Sequence, residues 1–390
     1  MAQSAPSRPL PLAGLRVLDL TRLLPGPVAT LHLADLGADV IKIEDLQQGD
    51  YARTLGTGQG EDSAYFRMIN RHKRGLRLDL KHPAGRDVFL RLAKEADAVI
   101  EGFRPGVMDK LGIGYDVVST VNPKIAYCSL SGYGQDGPLA EMAGHDINYI
   151  GYAGVLEQTG PAGGDPVLGN FQIADLLGGA LTAVMGLLTA MLDAQRSGQG
   201  RYIDVAMTDS VLAHTYFSML RLSDVGHSAP RGQDLLTGGL PCYAVYRCAD
   251  GGHMAVGALE GKFWQLCCTT LGHPEWISRQ WDPSLKPELA ALFANAPRDD
   301  WAMRFSTVDS CVTPVLRPEE ALQHPQFQAR GMVHHAEGLT QFAPPLKISD
   351  LDFTVRQAAP KAGEHTREIL LEAGWSAPEI ESLIALGAIA

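Results

Sequence analysis

The chain has 390 residues, 45% of them hydrophobic and 20% charged, with a formal net charge of −11. This length leaves room for two cores, and the composition is that of a folded globular protein. The acidic balance excludes an overall attraction to nucleic acid or an anionic membrane, so any anion site must be a local basic cluster.

The six cysteines, Cys128, Cys242, Cys248, Cys267, Cys268 and Cys311, include no C-x-x-C spacing. Reduced thiols in the cytoplasm and no metal site are expected. Residues 1–12 are Pro- and Ser-rich without an apolar stretch and do not resemble a secretory signal.

In chain order, residues 15–20 alternate and predict a strand. A turn over 21–26, a helix over 28–36 ended by Gly37, and a strand over 38–44 follow. Strand, turn, helix, strand is a βαβ unit of a parallel sheet. The turn lacks G-x-G-x-x-G, so the dinucleotide fingerprint is absent. Residues 45–63 are polar and Gly-rich and predict a mobile surface loop. The pattern then repeats: strand 75–80, helix 83–95 with Pro83 in its first turn, strand 96–102, short helix 105–111 and strand 124–130. This is a doubly wound α/β domain with a Rossmann-like parallel sheet. Its ligand belongs at the carboxyl ends of the strands, beside loops 21–26, 102–106 and 131–138.

Residues 176–192 are apolar but shorter than the roughly twenty needed to span a membrane, so a fully buried helix is expected. A strand over 202–205 and one long helix over 206–222 follow. Residues 223–240 read as a polar, Gly-rich linker. A hairpin (241–247 and 253–256) turns at Ala249-Asp250-Gly251-Gly252. Helices at 261–271, 286–296 and 298–307 and a strand at 311–316 make a small α+β domain within 241–330, and 318–326 reads as a further helix. Residues 331–390 hold a return linker and two helices, 363–373 and 376–386.

Two residues stand out as acid/base candidates. His145, in Gly144-His145-Asp146-Ile147-Asn148-Tyr149, has the side chain suited to taking a proton from carbon near neutral pH; taken alone, a satisfied loop histidine is the commoner reading. Asp175 sits between apolar residues at the start of the long apolar run, as a helix-capping acid or a catalytic one. Gly178 and Gly179 after it would let a ligand approach. Asp146 and Asn148 are expected as turn or helix-cap residues. Glu260, at a strand-to-helix junction, is either a helix-start acid or the third group that orients a histidine. The basic run Arg71, His72, Lys73, Arg74, Arg77 and Lys81 is a solvated face or a phosphate site. Arg104, at a strand end, is a second phosphate candidate.

Several stretches together carry a family resemblance. They include Gly14-Leu15-Arg16-Val17-Leu18-Asp19-Leu20, Pro25-Gly26-Pro27, Leu36-Gly37-Ala38-Asp39-Val40, Asn70-Arg71-His72-Lys73-Arg74 and Phe103-Arg104-Pro105-Gly106. They continue with Gly132-Tyr133-Gly134-Gln135, residues 144–149, Asp175-Leu176-Leu177-Gly178-Gly179, Thr237-Gly238-Gly239-Leu240-Pro241, residues 255–260 and residues 311–316. The chain resembles the class III CoA-transferase (CaiB/BaiF) family, and within it the α-methylacyl-CoA racemase branch.

The resemblance implies a large Rossmann-like domain completed by both ends of the chain, a small domain inserted through two linkers, and two subunits interlocked as a homodimer. It implies an acyl-CoA thioester as substrate partner, with coenzyme A carried by the substrate, no prosthetic group, no metal, no nucleic acid and no membrane. His145 and Asp175 are then opposed acid/base groups in a 1,1-proton transfer on a 2-methylacyl-CoA. Backbone N–H groups near the Asp175 helix start would stabilise the enolate, and Glu260 would support His145 from another subunit. Arg22, Lys42, Arg71, Lys73, Arg74, Arg104, Tyr133 and Tyr149 are the expected coenzyme-binding positions. Met142, Met207 and Phe217 are the expected surface for the acyl chain. Two alternatives stand beside this reading: transfer of CoA between carboxylic acids with Asp175 as nucleophile, and acyl-CoA binding without catalysis.

Overall fold

Six short segments, most of them rich in β-branched and aliphatic residues, pair as one sheet: β1 (Arg16–Leu20), β2 (Asp39–Glu44), β3 (Lys73–Arg77), β4 (Ala98–Glu101), β5 (Ala126–Ser131) and β6 (Arg201–Ala206). Every pairing is parallel, in the order β3-β2-β1-β4-β5-β6. The four inner strands β2, β1, β4 and β5 are covered on both faces by crossover helices, which explains their near-continuous burial. The computed structural model describes residues 8–56 and 62–390.

Two compact units divide the chain. One runs to Ala153 and resumes over Phe171–Ala213 and Ala329–Ala390; the other combines Gly154–Asn170 with His214–Gln328. The first contains the parallel sheet. Its helices include α1 (Pro25–Asp35), α2 (Ala64–Ile69), α3 (Pro83–Ala93), α4 (Val107–Lys110), α5 (Tyr115–Val121) and α6 (Asp146–Tyr152). The C-terminal helices Thr366–Glu372 and Ala377–Ala385 pack their Ile369, Leu370 and Ile380 into the same core as Leu76, Leu78 and Phe89. Leu78 also bridges to Ile389, so the last residues of the chain lie along the β3 edge.

The second unit has a separate antiparallel sheet, β7 (Tyr243–Arg247), β8 (His253–Gly257) and β9 (Val312–Pro314), around a core of Trp264, Trp276, Phe293 and Trp301. The expected hairpin is present, with Gly251 at φ +83 in its turn.

Three expectations need correction. The stretch expected as a mobile surface loop, residues 45–63, is anchored over its first half: Asp50 caps the turn Tyr51–Thr54, and Arg53 forms a bidentate buried pair with Glu44 at 2.8 and 2.5 Å. Residues 57–61 of that stretch lie outside the described residues. The long helix expected over 206–222 is two, Met207–Leu212 and Tyr216–Val225, interrupted over 213–215. The long apolar helix, Ala174–Ser197, is not fully buried. Leu181, Met185 and Leu192 on it are 47%, 64% and 49% exposed. Hydrophobicity alone does not report which apolar residues find partners within one chain.

Candidate functional site

In the strand order, direction reverses between β1 and β4, and a doubly wound sheet opens a crevice at such a switch point. A cavity of about 590 Å³ lies there, walled by the loop after β1 (residues 20–26), the loop after β4 (102–105), the loop after β5 (130–133) and residues 140–145. His145, Tyr149 and Asp175 all line it, with Arg22, Arg104 and Tyr133. Met142 and Met207 contribute apolar wall.

The β1 loop is held from below by buried charge. Asp19, on β1, is fully buried; it accepts from the N–H of Thr21 at 2.9 Å, from the Thr21 and Thr30 hydroxyls at 2.5 and 2.6 Å, and from Lys73 Nζ at 3.1 Å. Burial alone would raise this carboxyl, but Lys73 and Lys42 together with the hydroxyls hold it below its usual range. Lys42 Nζ donates to Thr21 O at 3.0 Å and pairs with Asp50 at 2.8 Å. Asp50 Oδ1 accepts from the N–H of Leu23 at 3.0 Å, and Leu23 sits at φ +66, a conformation that costs a non-glycine residue strain. A Cβ on Gly26 would stand 2.2 Å from that of Thr21, so this turn requires glycine there. Apolar strand runs interrupted by one charge (Leu-Asp-Leu, Ile-Lys-Ile) were the sequence signal for this network.

His145 is the N-cap of α6, in extended backbone conformation and exposed, and its own N–H donates to Asn148 Oδ1 at 3.0 Å. Tyr149, one turn on, is buried and donates its hydroxyl to Gly144 O at 2.5 Å. Glycine is needed at positions 132 and 144 because a Cβ would stand 2.3 Å and 2.7 Å from the Tyr149 ring. Tyr133 meets that ring edge-on at 5.2 Å between centroids.

Asp175 lies in the first turn of the long helix, whose opening residues Ala174–Leu181 are π-helical. Single π turns inside α-helices recur at functional sites. Its carboxyl is pushed up to about 6, first by burial and then by the neighbouring Asp146 carboxylate, against the pull of His145. Gly178 and Gly179 are required by the packing of this helix. A Cβ on Gly179 would stand 2.8 Å from Pro25 Cβ, and one on Gly178 would stand 2.8 Å from Met207 O.

Asp146 is a helix cap, one of the two roles expected for it, but on a distant helix: its Oδ1 accepts from the N–H of Ala174 at 2.7 Å and of Asp175 at 3.1 Å. Two of the N–H groups near the Asp175 helix start, the region expected to serve an enolate oxygen, are therefore engaged by a side chain. An aspartate carries no sequence mark that distinguishes a cap on its own helix from one on a distant helix.

The expected coenzyme-binding cations divide. Arg22 and Arg104 line the cavity, Arg104 exposed and Arg22 half-buried, paired with Asp45 at 2.8 Å and 5.6 Å from the Phe103 ring centroid. Lys42, Arg71, Lys73 and Arg74 are structural instead. Lys42 and Lys73 are fully buried. Arg71 grips Asp35 at 2.9 and 2.6 Å, and Arg74 grips Asp39 at 2.9 and 2.7 Å. Burial brings Lys73 down to about 8 despite Asp19. The basic run Arg71 to Arg74 thus secures β3 to its neighbours. Glu260 stands exposed at the N-cap of helix Gly261–Leu271 in the second unit, and Phe217 is 54% exposed in that same unit.

Glu101 carries no distinguishing mark in the sequence. It ends β4, is 3% exposed, and accepts from the N–H of Phe103 at 2.7 Å. Burial pushes its carboxyl up to about 7, with Ser129 opposing. It faces a second cavity beside Arg104, Tyr127 and Tyr202.

A doubly wound sheet with an imidazole and a desolvated carboxyl in its switch-point crevice is the framework of an α/β enzyme that works on a ligand held at the strand ends. More specifically, the chain belongs to CoA-transferase family III, whose model matches residues 12–366. It is 37% identical over 379 residues to the alpha-methylacyl-CoA racemase of Homo sapiens, a match covering 95% of this chain and 96% of that one. It is 34% identical over 395 residues to the acetyl-CoA:oxalate CoA-transferase of Acetobacter aceti, covering 97% of this chain and 100% of that one. Among solved structures, a CAIB/BAIF family protein from Brucella suis matches with a TM-score of 0.82 at 31% identity, over 94% of this chain and 100% of that one.

Proposed function

We propose that this enzyme interconverts (R)- and (S)-2-methylacyl-CoA thioesters by 1,1-proton transfer. The supporting observation is that His145 and Asp175 line one cavity, with the Asp175 carboxyl raised to about 6. A carboxyl near that value can both take and return a proton around neutral pH. In one direction Asp175 removes the α-proton; the C–H electron pair moves into the enolate and charge develops on the thioester oxygen. The protonated imidazole of His145 then delivers its proton to the opposite face, which inverts the carbon. The reverse reaction exchanges the roles. Arg22 and Arg104, at the cavity wall, are the cations we assign to the coenzyme phosphates. Met142 and Met207 give the acyl chain an adaptable apolar surface.

We further propose that the working form is a homodimer of interlocked subunits in which Glu260 of one chain supports the site of the other. The apolar residues left exposed, Leu181, Met185 and Leu192 in one unit and Tyr216, Phe217 and Leu220 in the other, are surfaces that a second copy would cover.

CoA transfer through Asp175 is the second reading, favoured by the likeness to an oxalate CoA-transferase. Incubating a single enantiomer of a 2-methylacyl-CoA in deuterated water separates the two. Racemisation places deuterium on the α-carbon and gives both enantiomers. CoA transfer leaves the α-proton in place and yields a hydroxylamine-sensitive adduct on Asp175.

A further inference from the structure

Two catalytic side chains on different helices need a fixed separation, because a displacement of about 1 Å can cost roughly 100-fold in rate. His145 heads the short helix α6, and Asp175 heads the long helix Ala174–Ser197. Asp146 directly follows His145, and its Oδ1 receives the N–H groups of Ala174 at 2.7 Å and Asp175 at 3.1 Å. Its carboxylate thus sits at two helix starts, as the first residue of α6 and as the acceptor for the first N–H groups of the long helix. Helix N-termini favour negative charge, so both stabilise it.

We infer that Asp146 is the positioning residue of the site: it fixes the helix start of Asp175 to that of His145 and sets its own negative charge beside that helix start. The inference rests on the acid/base reading of the pair. Asp146 touches neither substrate nor reacting atoms in this scheme and acts through Asp175 alone. The geometry makes the two effects separable. An amide at position 146 retains an oxygen that accepts the two N–H groups and removes the charge. An alanine removes both. The other groups that face Asp175 are His145 and Tyr149 from α6 and Tyr65 from α2, and none of these changes in either variant.

The test uses the full-length protein with 13C-carboxyl-labelled aspartate, the Asp175 signal being assigned by its loss in Asp175→Asn. Asp146→Asn is expected to lower the Asp175 titration midpoint by about one pH unit, the size of a single neighbouring charge. It should move the acid limb of the α-proton exchange profile to lower pH by the same amount, with kcat within about 10-fold of wild type. Asp146→Ala should cut kcat roughly 100-fold with little change in KM. An unmoved Asp175 titration in the Asn variant overturns the inference, as does full exchange activity in a folded Ala variant. If Asp146→Ala does not fold, the Asn titration still decides. Failure of the wild type to exchange any 2-methylacyl-CoA would overturn the racemase reading instead, and leaves the titration result to judge Asp146.

Discussion

Lys73 Nζ stands 3.1 Å from Asp19 Oδ2 inside the protein, with both side chains 0% exposed. This pair and its neighbour Lys42–Asp50, at 2.8 Å, lie beneath the β1 loop that walls the cavity. Removing one partner leaves the other charge buried without its ion-pair partner. Lys73→Met is therefore expected to destabilise by about 3–5 kcal/mol. The double variant Asp19→Asn/Lys73→Met should recover part of that loss. Chemical denaturation of the four members of the cycle gives the coupling; additive losses would mean that the two side chains do not act as a pair.

Asp175 makes a prediction about both rate and stability. Its carboxyl rises from 3.8 to about 6, so the folded protein binds a proton there more tightly than the unfolded chain does. Between these two values the folded state holds more protons, and stability from this group falls as pH rises. Asp175→Asn should abolish α-proton exchange and raise the melting temperature at pH 8, while pH 4 shows little difference. In the wild type, the direction that uses Asp175 as base should lose kcat/KM as pH falls through about 6. An acid limb near 4 would place the group in an ordinary aqueous setting.

The cations at the cavity separate from those inside the fold by the parameter they move. Arg22→Ala and Arg104→Ala should raise KM for an acyl-CoA by about 10-fold each with little loss of melting temperature, and the effect should shrink as salt increases. Arg71→Ala should do the reverse, because Asp35 would lose both of its guanidinium contacts. Steady-state kinetics at two ionic strengths, with melting curves, checks all three. A KM effect confined to Arg71→Ala would reverse the assignment.

If Glu260 acts across a dimer, two inactive variants should complement. Mixing His145→Ala with Glu260→Ala subunits, with exchange through partial denaturation, would give heterodimers that hold one intact site each. Random reassociation should then restore about one quarter of wild-type activity. Recovery would be nil if Glu260 serves only its own chain, and a monomer by sedimentation would end the proposal.

The βαβ pattern from Leu15 to Glu44, the hairpin around Gly251 and the family were all legible because they rest on local features: period, turn glycines and short motifs. The partners of Arg71, Lys73 and Arg74 were not. A run of cations along a chain looks the same whether it faces water or a row of carboxylates, and Asp35, Asp19 and Asp39 come from other elements. The exposed face of Ala174–Ser197 was misread for a related reason, since burial depends on what packs against a helix.

By itself, the sequence determined the parallel α/β framework, the residue types at 145 and 175, and membership of a CoA-handling family. These follow from short-range patterning, which each segment carries independently of its neighbours. Only the tertiary structure decided that His145 and Asp175 share a cavity at the switch point between β1 and β4. It also decided that the Asp175 carboxyl is desolvated, that four of the expected coenzyme cations are internal ion pairs, and that Asp146 joins two helix starts. Each of these depends on distances between residues far apart in the chain, and on the exclusion of water, which no single segment can specify.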